Sequence, residues 1–246
     1  MTASTPEFRY RFWIIGSIFW LSFSLYSIDH RNAVAALLHW LSHISGRALN
    51  NPPGFHFAFA IAALIAIGAS LLRTWATAYI RASVVQDSRI HSDVLVADGP
   101  YRHLRNPLYL GTWLLGVSMG FFTSRTGFFV LIVGLLVFVY RLIFREEAEL
   151  SGAHSEGYRH YCARVPRFFP SLFPRVASGN SRPLWVQGFL GESMMWVMTL
   201  GIVAYAATLR LFWFYLFLCI SFPLSFALNA ALKRRQLRVD SAAVRD

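Results

Sequence analysis

Residues 98–111 read DGPYRHLRNPLYLG, and they join a polar segment to a long apolar one. The pair Gly99-Pro100 predicts a turn. Pro107 marks the predicted start of a helix, because the missing N–H of proline costs nothing at the first helical position. Free backbone N–H groups and a partial positive charge collect at a helix N-terminus. The stretch therefore predicts a place at membrane-interface depth that can hold the anionic end of a ligand.

The whole chain has the composition of a membrane protein. Hydrophobic residues make up 56% of its 246 residues and charged residues only 14%, which is too apolar for an ordinary soluble domain. The net charge is +11, and Lys233 is the only lysine. Beside long apolar runs, such a charge favours anionic lipid headgroups over nucleic acid. We therefore expect membrane lipids as partners and no nucleic acid.

Six apolar runs predict an all-α, polytopic integral membrane protein with about six transmembrane helices. The predicted spans are residues 12–28, 55–80, 108–122, 127–144, 184–208 and 211–232. A short amphipathic helix is predicted over 33–44, and a loop over 50–54 (NNPPG). We divide the chain into an N-terminal span with a periplasmic or luminal loop, a core of spans two to four with a cytoplasmic lid segment, and a C-terminal helical hairpin with a basic tail. These parts are residues 1–54, 55–182 and 183–246.

Basic residues predict the orientation of these spans. Seventeen of them lie on the side that holds both termini and the connections 81–106 and 145–182, and four lie on the opposite side. An excess of Lys and Arg marks the cytoplasmic side. We therefore expect both termini and the site to be cytoplasmic, at the inner membrane of a bacterium or the endoplasmic reticulum of a eukaryote.

A second polar stretch follows one apolar hairpin after the first. It contains Glu146-Glu147, then Tyr158, Tyr161 and the pair Val165-Pro166. Adjacent residues on a helix point about 100° apart, so we expect at most one of the two glutamates to face the site squarely, and we favour Glu147. The two stretches are predicted to meet and form a cytoplasmic cofactor pocket.

Several classes of chemistry lack their sequence signature. The chain has no Gly-rich phosphate loop, dinucleotide fingerprint or G-x-S-x-G elbow. His39 and His43 lie one helical turn apart with no third ligand nearby, so we predict no metal site. A cluster of Arg, Asn, Tyr and Glu suits methyl transfer from a sulfonium, which depends on alignment and exclusion of water. Arginine can hold a carboxylate, and tyrosine rings can contact the sulfonium.

Three blocks of sequence resemble the isoprenylcysteine carboxyl methyltransferase family and its phospholipid methyltransferase relatives. They are residues 72–76 (LRTWA), 99–111 (GPYRHLRNPLYLG) and 146–166 (EEAELSGAHSEGYRHYCARVP). They resemble the family patterns L-R-x-W-A, G-P-Y-x-x-x-R-H-P-x-Y-x-G and E-E-x-x-L-x-x-x-F-G-x-x-Y-x-x-Y-x-x-x-V-P. One departure is Asn106, which stands where the family usually has His and cannot carry a proton. The other is His154-Ser155, which replaces the usual Phe-Gly.

The resemblance implies a membrane methyltransferase that uses S-adenosylmethionine and acts on a carboxylate or an amine of a lipid-like substrate, and we favour the carboxylate. A carboxylate acceptor needs no general base, whereas Glu147 is the candidate base for an amine. Arg105 and Glu147 are the implied catalytic residues. The implied cofactor-binding residues are Tyr101, Arg105, Asn106, Pro107, Tyr109, Gly111, Glu146, Glu147, Tyr158 and Tyr161. We assign Arg73, Trp75 and Glu192 to the substrate, with Arg73 as the hypothetical partner of the intramembrane acid Glu192.

Two other functions stay open. Residues 161–166 (YCARVP) also resemble a Tyr-Cys-x-x-Val-Pro run of membrane sterol reductases, which would use NADPH. The asparagine at position 106 leaves room for a non-enzymatic membrane protein of the same fold.

Overall fold

Helices make up most of the described chain. The computed structural model describes residues 2–87, 97–153 and 155–243. In these ranges no β-strand forms, apart from an isolated bridge between Asn32 and Ser124. The helices are α1 (Thr5–Arg9), α2 (Arg11–Ser24), α3 (Ala33–Ser45), α4 (Pro52–Asp87), α5 (Pro107–Gly120), α6 (Arg125–Ala153), α7 (Ser155–Arg164), α8 (Trp185–Gly191), α9 (Ser193–Thr208) and α10 (Leu211–Ala243). The predicted all-α class is confirmed.

Three of the helices are long and apolar enough to cross a membrane. They are Pro52–Ile80 of α4, Arg125–Ser151 of α6 and Leu211–Leu228 of α10, and α8 with α9 would make a fourth if the bent pair is one span. The first and third predicted spans correspond to α2 and α5, which have 14 residues each. A bilayer crossing takes about 20 residues. In the described ranges the structure therefore supports an integral membrane protein with three or four spans of full length.

Local capping explains where two of the helices begin. The side chain of Asn32 accepts hydrogen bonds from the backbone N–H groups of Val34 and Ala35, and this N-cap starts α3 where an amphipathic helix was predicted. The loop predicted over 50–54 is wrong in its second half, because α4 begins at Pro52. Proline is readily accommodated in the first turn of a helix, because the backbone N–H that it lacks would have no partner within the helix there.

The fifth predicted span is broken at Glu192. The axes of α8 and α9 differ by 67°. Gly188 of α8 lies so close to α4 that an added Cβ would be 2.9 Å from the carbonyl oxygen of Thr74. Glu192, between the two helices, turns its carboxylate toward α4. The continuous helix predicted over 184–208 is therefore wrong, because polar contacts between helices redirect the backbone there.

Small residues on α4 allow its neighbours to approach closely. Ala62, Ala66, Ala69, Ala76 and Ala78 are all fully buried. Such small residues let helix backbones pack tightly in lipid. α4 packs against α5, α8 and α9, which places Arg73 among three helices.

Candidate active site

The two predicted polar stretches meet around the carboxylate of Glu147. Arg105 Nη1 lies 3.0 Å from Glu147 Oε1, and Asn106 Nδ2 donates to the same oxygen over 3.3 Å. Arg167 Nη2 lies 3.0 Å from Glu147 Oε2. Pro107 is buried at the start of α5, directly after the two residues that reach Glu147. The predicted meeting of the two stretches is confirmed.

The Glu147 cluster carries more positive than negative charge. One buried carboxylate lies between two guanidinium groups, of which Arg105 is the more buried. Hydrogen bonds to Glu147 raise the pKa of Arg167 above its ordinary value. With two guanidinium groups around one carboxylate, the cluster can attract an anionic group.

Glu146 points to a different partner from Glu147. Tyr109 Oη donates a hydrogen bond of 2.6 Å to Glu146 Oε1. The two adjacent carboxylates therefore serve separate groups, as the 100° turn between neighbouring helical residues predicts. Of the two, Glu147 is the one that contacts Arg105.

Two buried polar atoms of the motif lack a hydrogen-bond partner among the described residues. They are Tyr101 Oη and Arg105 Nε. Burial raises the pKa of Tyr101, and the charges of Arg73 and Glu192 also act on its hydroxyl. The hydroxyl therefore stays protonated and can donate or accept. An unpaired buried polar group costs about 1–3 kcal/mol, so both atoms fit a polar ligand that would bond to them.

The tyrosines of α7 lie beneath the loop of residues 98–106, which we call the motif loop. Tyr158 and Tyr161 are both buried and pack with Val165. Tyr161 Oη donates 2.8 Å to the carbonyl oxygen of Tyr101. Burial raises the pKa of both α7 tyrosines, so each keeps its hydroxyl proton. The Tyr161 bond ties α7 to the motif loop.

Residues 165–184, which we call the cover segment, run across the loop of residues 98–106. The backbone N–H of Arg105 donates 2.9 Å to Pro166 O, and that of Ser171 donates 2.9 Å to His103 O. Further along, the N–H of Arg175 donates 2.8 Å to Arg102 O. This series of bonds along the chain holds the cover segment over the Glu147 cluster.

Asp98 fastens the far part of the cover segment. Its carboxylate accepts hydrogen bonds from Ser178 Oγ and from the backbone N–H groups of Gly179 and Ser181, over 2.7–2.9 Å. Burial raises the pKa of Asp98, but the hydrogen bonds from Ser181, Ser178 and Gly179 outweigh it and leave the pKa lowered. The carboxylate is therefore charged at neutral pH and acts as a fixed anchor for three donors.

A second charged cluster joins α4, α5 and the break between α8 and α9. Arg73 Nε and Nη2 donate to the two oxygens of Glu192 over 2.7 and 3.1 Å, and Thr77 Oγ1 donates to Glu192 Oε1 over 2.6 Å. Arg73 Nη1 donates to Leu108 O and Thr112 Oγ1. The hypothetical Arg73–Glu192 pairing is confirmed, and its members satisfy one another.

The remaining predicted site residues lie next to these clusters. The Trp75 ring lies 6.0 Å from the ring of His103, in the loop beneath the cover segment. Gly111 faces the aliphatic stem of Arg73, where an added Cβ has no room. Trp75 therefore adjoins the motif loop, and Gly111 permits the close packing of α5 on α4.

Some residues of these clusters were not predicted from the sequence. Arg167 follows the Val165-Pro166 motif directly, so its position next to a motif was the available signal. Asp98, likewise, directly precedes the Gly99-Pro100 turn. Thr77 lies one helical turn after Arg73, a spacing that puts both on one face of α4.

We searched the part of the chain that the structure describes for side chains that could bind a metal ion. Within it, no group of three or more His, Cys, Asp or Glu side chains is arranged to hold a metal ion.

Comparisons with known proteins point to one family. Residues 57–156 match the family model described as phospholipid methyltransferase. The nickel-cobalt-cadmium resistance protein NccN of Alcaligenes xylosoxydans xylosoxydans is 29% identical over 117 residues, 45% of this chain and 52% of that protein. The chain thus spans about half the length of this curated relative. No solved structure matches the chain. Residues 57–156 hold most of α4, the loop of residues 98–106 and both glutamates, and they match the phospholipid methyltransferase family. The resemblance to isoprenylcysteine carboxyl methyltransferases and their phospholipid methyltransferase relatives is therefore confirmed.

Proposed function

We propose that the protein is an integral-membrane methyltransferase that uses S-adenosylmethionine and acts on a lipid-like substrate. The observation that carries the proposal is the meeting of Arg105, Asn106 and Glu147 at the start of α5. The unpartnered Tyr101 Oη and Arg105 Nε lie on the same motif loop. These groups match the carboxylate, ammonium and ribose hydroxyls of the methyl donor in kind, and the family region contains all of them.

Each residue of the cluster has a role that its chemistry supports. When bound, the donor supplies a methyl group already activated on a sulfonium. The guanidinium of Arg105 would hold the donor's carboxylate, and Glu147 would accept from its ammonium or ribose hydroxyls. The rings of Tyr101, Tyr109 and Tyr158 are the aromatic faces available for the sulfonium. The cover segment would exclude water, which favours alignment of the acceptor with the S–CH3 bond.

The second cluster would receive the polar end of the acceptor. Arg73, Trp75 and Glu192 lie beside the motif loop, and the charges of Arg73 and Glu192 act on the Tyr101 hydroxyl. We favour a carboxylate acceptor over an amine, because a carboxylate has no proton to lose before it attacks the methyl group. For an amine acceptor, Glu147 would be the base.

We also propose the topology predicted from the basic residues. In it α2 and α5 complete a six-span arrangement, and both termini and the site face the cytoplasm. This orientation would give the site access to a water-soluble donor and to substrate from the bilayer.

Calorimetric titration with S-adenosylhomocysteine tests the donor site. We expect the detergent-purified protein to bind it, and Arg105→Ala and Glu147→Ala each to weaken binding about 10–100-fold, since hydrogen bonds to charged groups contribute about 1.5–3 kcal/mol. The matched control is Arg125→Ala, which removes an arginine–carboxylate pair with Asp29 at the opposite end of α6. The control should bind as the intact protein does.

The same titration separates the rival functions. Binding of NADPH without binding of S-adenosylhomocysteine would favour the reductase, and binding of neither would favour a non-enzymatic membrane protein. For the acceptor, lipid extract is incubated with donor labelled at the methyl group. Mild base releases label from a methyl ester and leaves label on an amine, so base-stable product would contradict a carboxylate acceptor.

A further inference from the structure

The outer face of the cover segment is both apolar and basic. Phe169, Leu172 and Phe173 are 70%, 91% and 75% exposed. The segment also contains three arginines, no aspartate and no glutamate. Of these arginines, Arg175 and Arg182 are exposed. Large apolar side chains grouped on a surface mark an interaction site, and the surrounding charge selects an anionic partner.

The cover segment is fixed at the ends of apolar helices. Near its start, Pro166 O accepts a hydrogen bond from the backbone N–H of Arg105, which lies two residues before the start of α5. At its end, Leu184 N donates 3.1 Å to Ala78 O, within the last turn of the α4 span. The next residue begins α8, the first half of the bent pair. The segment therefore lies at the level where these apolar helices end.

Neighbouring residues of the segment face opposite ways. Phe168 is buried, with its ring 5.9 Å from that of Trp113 and 5.1 Å from that of Tyr140. Arg167, just before it, contacts Glu147. Phe169, just after it, points outward. The segment thus closes the Glu147 cluster with one face and exposes apolar rings with the other.

We propose that the outer face of the cover segment docks into the headgroup region of an anionic lipid leaflet. Phe169, Leu172 and Phe173 reach the boundary of the acyl chains, and Arg175 and Arg182 pair with lipid phosphates. The leaflet then holds the cover over the Glu147 cluster from outside, while the hydrogen bonds to residues 98–106 hold it from inside. This docking does not depend on which molecule occupies the site.

The geometry favours a lipid surface over a protein partner. The exposed rings belong to a segment pinned at helix ends, where the leaflet surface is already adjacent. A second copy of the chain would carry the same positive charge on this face, so the two faces would repel each other. Self-association through this segment is therefore an outcome against the proposal.

An environment-sensitive fluorophore on Leu172→Cys tests the proposal. The variant is made with Cys162→Ser and Cys219→Ser and reconstituted into phosphatidylcholine vesicles, with or without phosphatidylglycerol. We expect a blue-shifted emission that lipid-attached quenchers reduce, more strongly with phosphatidylglycerol. The matched control is His160→Cys, an exposed residue of the polar helix α7, whose label should stay unquenched. High salt, which shortens the screening length from about 10 Å at 0.1 M to about 3 Å at 1 M, should remove the increment due to phosphatidylglycerol.

Equal, water-like emission at positions 172 and 160 in both kinds of vesicle would overturn the proposal. A signal at 172 that rises with protein density instead of anionic lipid would assign the face to a second copy. Hydrogen exchange of the unsubstituted protein supplies a check that needs no label. Amides of residues 169–176 should exchange more slowly in phosphatidylglycerol-containing vesicles than in phosphatidylcholine, and equal rates would also contradict lipid docking. Both measurements are independent of donor binding, so they stand whatever the titration shows.

Discussion

Replacing Glu192 by glutamine would leave the guanidinium of Arg73 without a counter-charge inside the helix bundle. The Glu192 side chain is 7% exposed and that of Arg73 22%. Removing one member of a buried ion pair costs about 3–5 kcal/mol. Arg73 would keep its bonds to Leu108 O and Thr112 Oγ1 and is partly exposed. We therefore expect Glu192→Gln to lower the free energy of unfolding by about 3 kcal/mol, at the lower end of that range.

A double-mutant cycle measures the pair itself. Arg73→Met should cost a similar amount, because it leaves the carboxylate of Glu192 unpaired. The double variant should lose about 2–3 kcal/mol less than the sum of the two single losses, since it buries no unpaired charge. Thr77→Val is the matched control. It removes one hydrogen bond to the same carboxylate and keeps both charges, so it should cost about 1.5 kcal/mol, clearly less than Glu192→Gln.

The assay is unfolding by sodium dodecyl sulfate in mixed micelles, followed by tryptophan fluorescence. Additive losses in the double variant would refute the reasoning, because they would mean that Arg73 and Glu192 do not depend on each other. A loss in Glu192→Gln no larger than in Thr77→Val would also refute it. In either case another contact would have to fix the break between α8 and α9.

Three further predictions follow from single contacts. Glu147→Gln should weaken S-adenosylhomocysteine binding more than Glu146→Gln in the same titration, because Glu147 is the carboxylate beside the arginines; the reverse order would contradict the placement of the donor. The hydrogen bonds from the Arg125 side chain lower the pKa of Asp29 to about 2; burial acts in the opposite direction, and backbone hydrogen bonds lower the pKa further. A lowered carboxyl pKa contributes stability above its unfolded value of about 3.9 and loses it as pH falls through the folded value. The stability gap between the intact protein and Asp29→Asn should therefore close between about pH 4 and pH 2, and a constant gap would contradict this. Gly111→Ala should destabilise the protein by about 1–3 kcal/mol in the detergent assay, because a Cβ overpacks against the arginine stem beneath it; an unchanged midpoint would show that α5 can shift.

The contact between the two motifs could be predicted because they lie at the two ends of one apolar helical hairpin. Arg105 and Glu147 lie 42 positions apart in the sequence. Because the two helices between them are antiparallel, the start of the first and the end of the second lie on the same side of the bundle. Helical geometry predicted that Glu146 and Glu147 point apart, but it did not decide which of the two would contact Arg105. The Arg73–Glu192 pair followed from the rule that an intramembrane charge needs a partner.

Other features could not be predicted, because they depend on contacts between distant residues. Hydropathy described residues 184–208 as one apolar run, and only the contact of Glu192 with α4 shows why the helix bends. The pair Pro52-Pro53 suggests a loop from composition, although the first turn of a helix accepts both prolines. Arg167 belongs to no predicted helix, and its role depends on how the cover segment lies over Glu147.

The Arg73–Glu192 ion pair can form only late in synthesis of the chain. Its two members are 119 residues apart, so Arg73 is synthesised long before the Glu192 carboxylate that neutralises its charge. Until the last hairpin leaves the ribosome, the nascent chain has to keep a guanidinium group in the α4 span without Glu192, near water or with temporary partners. Completion of the C-terminal hairpin is then the moment at which the earlier helices acquire their final charge balance, which makes this hairpin a late step in assembly of the whole bundle.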